Sequence, residues 1–240
     1  MSGRVRLHGL DLLRGVCLIS MILYHGMWNL VYMFGVSAPW YRGLPGTIWQ
    51  QSICQTFLIL SGFCFHFSRN HLKRGLLIFG GGVVVSLVTL ILMPQNRILF
   101  GILTCTGSCM LLMIPLSKLL RHVPPIPGAA VSFAAFWLLR LEEGNFPAWL
   151  CRNYFTAWLG FPPAGFWSTD YFPLIPWVFL FILGYFLYRI LHPRGWDEKL
   201  FSKGRVPLLN WLGRHALPVY LLHQPVLYGI CLALDALGVL

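Results

Sequence analysis

A chain of 240 residues that is 57% hydrophobic and only 10% charged cannot be an ordinary soluble domain. Spans of about 20 residues leave room for about seven helices and for no soluble domain beside them. The formal charge of +11 would suit a nucleic-acid partner, but its placement in short loops between apolar runs assigns it to a membrane protein that binds no nucleic acid.

The first apolar run, Leu10 to Phe34, carries Asp11, Arg14 and His25 inside or at the rim of a helix long enough to cross a bilayer. Ionisable groups at such depth are costly unless they pair or work. Arg4 and Arg6 ahead of the run resemble the start of a signal peptide, yet the run is too long for one and further spans follow, so it reads as a retained helix. Asp11 and Arg14 are three residues apart and form an ion pair easily. An inward-facing Arg near a membrane surface also offers a bidentate fork to phosphate. His25 lies about 16 Å further along the helix, toward the outer leaflet, and Asn29 is one turn beyond on the same face. Tyr24, Trp28 and Tyr32 add polar and aromatic tips at that depth. Imidazole is well matched to taking and returning a proton near neutral pH, although a packed structural histidine is the alternative reading.

The second span, Ile48 to Phe67, opens with Gln50, Gln51 and Gln55, the last two on one face and able to line the same cavity as His25. Ser61 beside Gly62 reads as a close helix contact rather than a nucleophile. Spans at Leu76 to Met93, Leu99 to Leu116 and Ile126 to Leu141 follow, the last short and crowded at its start by Pro124, Pro125 and Pro127. The connection from Glu142 to Asp170 is rich in Trp, Phe and Tyr and broken by Pro and Gly, so it belongs in or just below the outer interface, as an anchor or as a cap over a cavity.

A sixth span runs from Phe172 to Leu191 and a seventh from Leu208 to Leu237. The seventh supplies Asn210, Arg214, His215, Tyr220, His223 and Gln224, with His223 about 13 Å deeper than Arg214. Pro218 and Pro225 are expected to bend this helix and free carbonyls toward a cavity. If the N terminus is cytoplasmic, that side holds Arg4, Arg6, Arg69, Lys73, Arg74, Lys118, Arg121, Arg189, Arg194, Lys199, Lys203 and Arg205, and the other holds Arg42, Arg97, Arg140 and Arg152. This asymmetry predicts a cytoplasmic N terminus and an external C terminus. The seven cysteines lack the spacing of a disulfide framework or a metal site and are assigned to packing; no metal is expected.

The opening LDLLRG followed by MILYHGMWNL, the RILFGIL run at Arg97, DYFPLIPW from Asp170 and LGRHALPVYLLHQP from Leu212 to Pro225 together resemble the small prokaryotic members of the heparan-alpha-glucosaminide N-acetyltransferase catalytic-domain-like family. The likeness is spread over nearly the whole chain as four blocks in order. It implies an all-helical polytopic membrane acyltransferase, one transmembrane domain over residues 1–240 in a prokaryotic plasma membrane, that moves an acyl group from cytoplasmic acyl-CoA or acetyl-CoA to an acceptor on the far side. His25 matches the histidine late in the first span, Asp170 the acidic residue that opens its block, and His223 the histidine of the closing block. Together with Asn29 these are the candidate catalytic residues. Arg14 and Arg214, with Asp11 and His215, are the candidate donor-binding set. One departure stands out: related chains commonly carry a histidine after GIL, where this chain has Thr104 and Cys105.

The partners implied are the lipid bilayer, acyl-CoA and a saccharide or other small hydroxyl or amine acceptor, with a homodimer left open. Two other readings remain at this point: a small-solute transporter, since broken charged helices also mark permeation paths, and a non-catalytic partner in a surface-polymer pathway.

Overall fold

A computed structural model describes residues 7–142 and 145–240; Arg4, Arg6 and residues 143 and 144 of the aromatic connection lie outside the described residues. Eleven helices are seen among them and no strand: α1 His8–Trp28, α2 Pro39–Arg42, α3 Leu44–Phe63, α4 His71–Leu92, α5 Ile102–Leu120, α6 Pro125–Leu141, α7 Tyr154–Leu159, α8 Leu174–Leu191, α9 Trp196–Phe201, α10 Pro207–Arg214 and α11 Ala216–Ala236. Five stretches are long and apolar enough to cross a membrane, at His8–Met33, His71–Leu92, Ile102–Leu120, Leu174–Arg194 and Ala216–Ala236. The apolar α6 is shorter, at 17 residues, and α3 has 20 residues but carries Gln50, Gln51 and Gln55. Counting both, the chain is an all-helical integral membrane protein with about seven spans. Proline at the first position of α6 explains why its crowded start still folds, because the missing N–H is one the helix end would leave unpaired anyway.

Two expectations about helix shape need correction. The run from Leu208 to Leu237 is not one helix bent at prolines: it breaks at His215, whose φ of −103° and ψ of 32° separate α10 from α11. Pro218 falls in the first turn of α11, where its lost N–H costs little, and α11 continues through Pro225. Pro225 still leaves the Leu221 carbonyl without its usual helical donor. The first span ends differently too, because α1 passes at Asn29 into a single π-helical turn, Asn29–Met33. Such widened turns occur often at functional sites.

The chain divides into two compact units, residues 1–57 with 195–240 and residues 58–194. In the first, α1 crosses α10 where both carry glycine: a Cβ on Gly15 would lie 2.1 Å from the Leu209 carbonyl oxygen, and one on Gly213 1.9 Å from that of Asp11. Asn210 locks this crossing by donating to the His8 carbonyl at 2.7 Å and accepting from the Val206 N–H at 2.7 Å. Higher on α1, Cys17, Leu18 and Met21 pack with Ile53, Leu212, Val219 and Tyr220.

In the second unit, small residues again allow close approach without a hydrophobic drive between helices. A Cβ on Gly62 would lie 1.9 Å from the Phe181 carbonyl oxygen, and one on Gly184 2.0 Å from that of Ile59, as the Ser61-Gly62 pair predicts. Arg189 donates to the carbonyls of Leu120, Arg121 and Val123, where α5 ends, matching a cation to the negative end of a helix. The aromatic connection folds back on this unit. Thr169 N–H donates to the Arg97 carbonyl, Ser168 bonds both polar groups of Leu99, and the Trp158 indole N–H donates to Ser108 at 3.0 Å. Ser108 lies six residues into α5, so the connection reaches about 9 Å down that helix.

Candidate functional site

The first unit gathers most of the candidate residues. His25 near the end of α1 and His223 on α11 face each other with ring centroids 4.8 Å apart and planes at 74°. Each ring is anchored by its own helix: His25 Nδ1 bonds the Met21 carbonyl at 2.9 Å, and His223 Nδ1 bonds the Tyr220 carbonyl. A carbonyl oxygen can only accept, so in the neutral rings both protons sit on Nδ1. Both Nε2 atoms are therefore lone-pair acceptors, the state a general base needs. The Nε2 of His223 is buried with no hydrogen-bond partner among the described residues.

Asn29 does not orient the His25 ring. It is fully buried at the start of the π turn, and its Oδ1 accepts from Gln224 Nε2 at 2.7 Å. That bond ties the end of the first span to α11 beside His223. It also leaves Asn29 Nδ2 and Gln224 Oε1 buried and without partners among the described residues. A donor and two acceptors thus stand unsatisfied around one pair of imidazoles, and each costs free energy unless something polar meets it. Tyr24 lies edge-on to His25 at 5.8 Å and is held among Tyr41 and Trp49, while Trp28 and Tyr32 lie 5.7 Å apart. Of these aromatic rings, Tyr24 is the one that packs directly against His25.

The candidate donor-binding residues lie toward the start of α1 and around the α10–α11 break. Arg14 and Asp11 form the expected local pair at 3.4 Å. Arg14 precedes Gly15 and Arg214 follows Gly213, so both arginines flank the α1–α10 crossing. Arg214 and His215 are exposed, and His215 bonds the Trp211 carbonyl at 2.9 Å with its ring tilted on that indole. Arg14 sits about 16 Å along α1 from His25.

Asp170 belongs to the second unit. Its carboxylate accepts the Ile102 N–H at the start of α5, and burial pushes its pKa up to about 6 against that hydrogen bond. Thr104 is buried and donates to the Gly101 carbonyl at 2.7 Å. No group of three or more His, Cys, Asp or Glu side chains able to hold a metal ion, and no disulfide, is found among the described residues.

Spacing along the chain names His25, Asn29 and His223 but misses what connects them. The Asn29–Gln224 bond joins residues 195 apart, and only their shared apolar surroundings hint that two amides at such depth need each other.

The chain matches the family model of heparan-alpha-glucosaminide N-acetyltransferase, catalytic, over residues 6–225. No curated protein and no solved structure matches the chain. The family match covers most of the sequence, and the chain belongs to that family.

Proposed function

We propose that this member of the heparan-alpha-glucosaminide N-acetyltransferase catalytic family moves an acetyl or related acyl group from acyl-coenzyme A on the cytoplasmic side to a hydroxyl or amine acceptor, such as a sugar, on the opposite side of the membrane. The observation that carries this reading is the pair of imidazoles with unprotonated Nε2 atoms, set 4.8 Å apart in two membrane helices. His25 takes the acceptor's proton as its oxygen or nitrogen attacks the thioester carbonyl carbon, and the thiolate leaves without needing strong acid help. His223 shares the site as a second acceptor that holds the nucleophile or receives the proton. Coenzyme A is too large and charged to cross, so its phosphates are assigned to Arg14 and Arg214 beside the basic cytoplasmic loops, with Asp11 and His215 framing them. Asp170 is assigned a part in the same reaction by the family resemblance alone.

The excess of Lys and Arg on one set of loops supports a cytoplasmic N terminus and an external C terminus. Cysteines introduced at the two ends should label from opposite sides of a sealed vesicle; labelling from one side would overturn the topology. Purified protein should release thiol from acetyl-CoA when offered an α-glucosaminide. His25→Ala should lower that rate by about 100-fold or more while donor binding persists. No thiol release by the wild type would overturn the reading.

A further inference from the structure

Attack on a thioester places negative charge on the carbonyl oxygen, and in a site shielded from water that charge needs a hydrogen-bond donor already aimed at it. Neither imidazole can provide one, because each Nδ1–H is committed to a backbone carbonyl. Asn29 can. It is four residues from His25, its backbone is still helical at φ −58° and ψ −52°, and so its side chain rises on the same face one turn away. Its Nδ2 is a fully buried donor with no partner among the described residues.

The amide's direction is set by Gln224, whose Nε2–H occupies Asn29 Oδ1 at 2.7 Å and so turns Nδ2 away from the bond. Two carboxamides can also close into a doubly bonded pair that satisfies both. Here the pair is open: Asn29 Nδ2 and Gln224 Oε1 both remain unbonded.

We propose that Asn29 Nδ2–H is the oxyanion donor of the transfer step and that Gln224 is the positioning residue that aims it. This inference rests on the acyl-transfer reading, with His25 as base. The acceptor's lone pair forms a bond to the thioester carbon while its proton passes to His25 Nε2. The carbonyl π electrons move onto oxygen, which accepts from Asn29 Nδ2–H. When the carbonyl re-forms, the carbon–sulfur bond breaks, and the thiolate leaves with its electron pair and takes the proton from His25.

The test uses the full chain in detergent with acetyl-CoA carrying carbon-13 at the thioester carbonyl. Infrared difference spectra should show the bound carbonyl stretch at lower frequency than in water, and Asn29→Ala should abolish that shift. Asn29→Ala and Asn29→Leu should lower kcat by about 100-fold or more with the donor dissociation constant within about threefold of wild type. Gln224→Met keeps the length of the side chain but has nothing to donate to Asn29 Oδ1, so it should reproduce both losses. If Asn29→Ala does not fold, the near-isosteric Asn29→Leu and the length-matched Gln224→Met carry the test. His25→Ala should lose transfer yet keep the carbonyl shift. An active wild type whose Asn29 and Gln224 variants keep both the shift and the rate would overturn this inference alone. A wild type that binds acetyl-CoA but never releases thiol would overturn the acyl-transfer reading, and this inference with it.

Discussion

In the second unit the buried hydroxyls of α5 and α6 are returned to their own helices: Thr104 to Gly101, Thr106 to Ile102, Ser108 to Thr104 and Ser132 to Gly128. In the first unit the amides and imidazoles of α1 and α11 meet across helices and keep atoms to spare. A hydroxyl that bonds the carbonyl one turn back is neutralised within its helix and serves packing. An imidazole that bonds its own helix through Nδ1 still has Nε2 to offer, and a carboxamide has an oxygen and a nitrogen, so an atom is left over that can meet a substrate. The difference lies in the polar atoms left over, since both units place polar residues in apolar helices. The second unit has unpartnered atoms too, at His71 Nδ1 and Trp177 Nε1, but Trp177 lies against the Arg140 guanidinium at 5.3 Å and His71 stacks on Phe65 at 4.0 Å, so neither resembles the open set around His25.

The comparison breaks most sharply if residues of the two kinds behave alike. His25→Ala should cost about 100-fold or more in transfer, whereas Ser108→Ala should cost about 1 kcal/mol of stability, through the lost Trp158 contact, and leave the rate near wild type. Rates and denaturation midpoints measured on both variants decide it. Equal losses of rate would erase the distinction between the units.

Packing should be unforgiving in both. Gly213→Ala drives a methyl group against the Asp11 backbone and Gly62→Ala one against Phe181, and each should destabilise by about 1–3 kcal/mol or more. In the first unit the loss should also weaken donor binding, because Arg14 and Arg214 flank that crossing. Thermal melts with and without acetyl-CoA separate the two effects.

A smaller effect is expected at the arginines proposed to bind the donor. Arg14→Ala should weaken acetyl-CoA binding about tenfold with kcat little changed, as for a lost charge-assisted hydrogen bond. Equilibrium binding against turnover checks it, and unchanged affinity would return Arg14 to a structural partner of Asp11.

The smallest expected effect concerns Asp170. Its pKa in the fold, about 6, lies above the usual 3.8, so the folded state holds that proton more tightly than the unfolded chain does. Stability from this group is full below about 4 and is lost as pH rises through about 6. Asp170→Asn should flatten the melting temperature against pH across that window; an unchanged slope would remove Asp170 as its source.

Composition, run length and charge placement were enough to read an all-helical membrane protein of about seven spans, because a bilayer imposes a length and an apolarity that any spanning helix must show. Four short blocks were enough to read the family, and His25, Asn29 and His223 stood out because polar residues are costly in such helices. Tertiary structure decided the rest. The break at His215 rather than at Pro218 or Pro225 depends on how α10 is held against α1 by Gly213 and Asn210, and residue preference alone points to the prolines. The facing of His25 on His223 and the bond between Asn29 and Gln224 join positions nearly 200 residues apart, beside the π turn that ends the first span. Spacing fixes which residues share one helix face, but which faces meet follows from the packing of the whole unit, so the sequence named the polar groups and the fold determined which were left free to act.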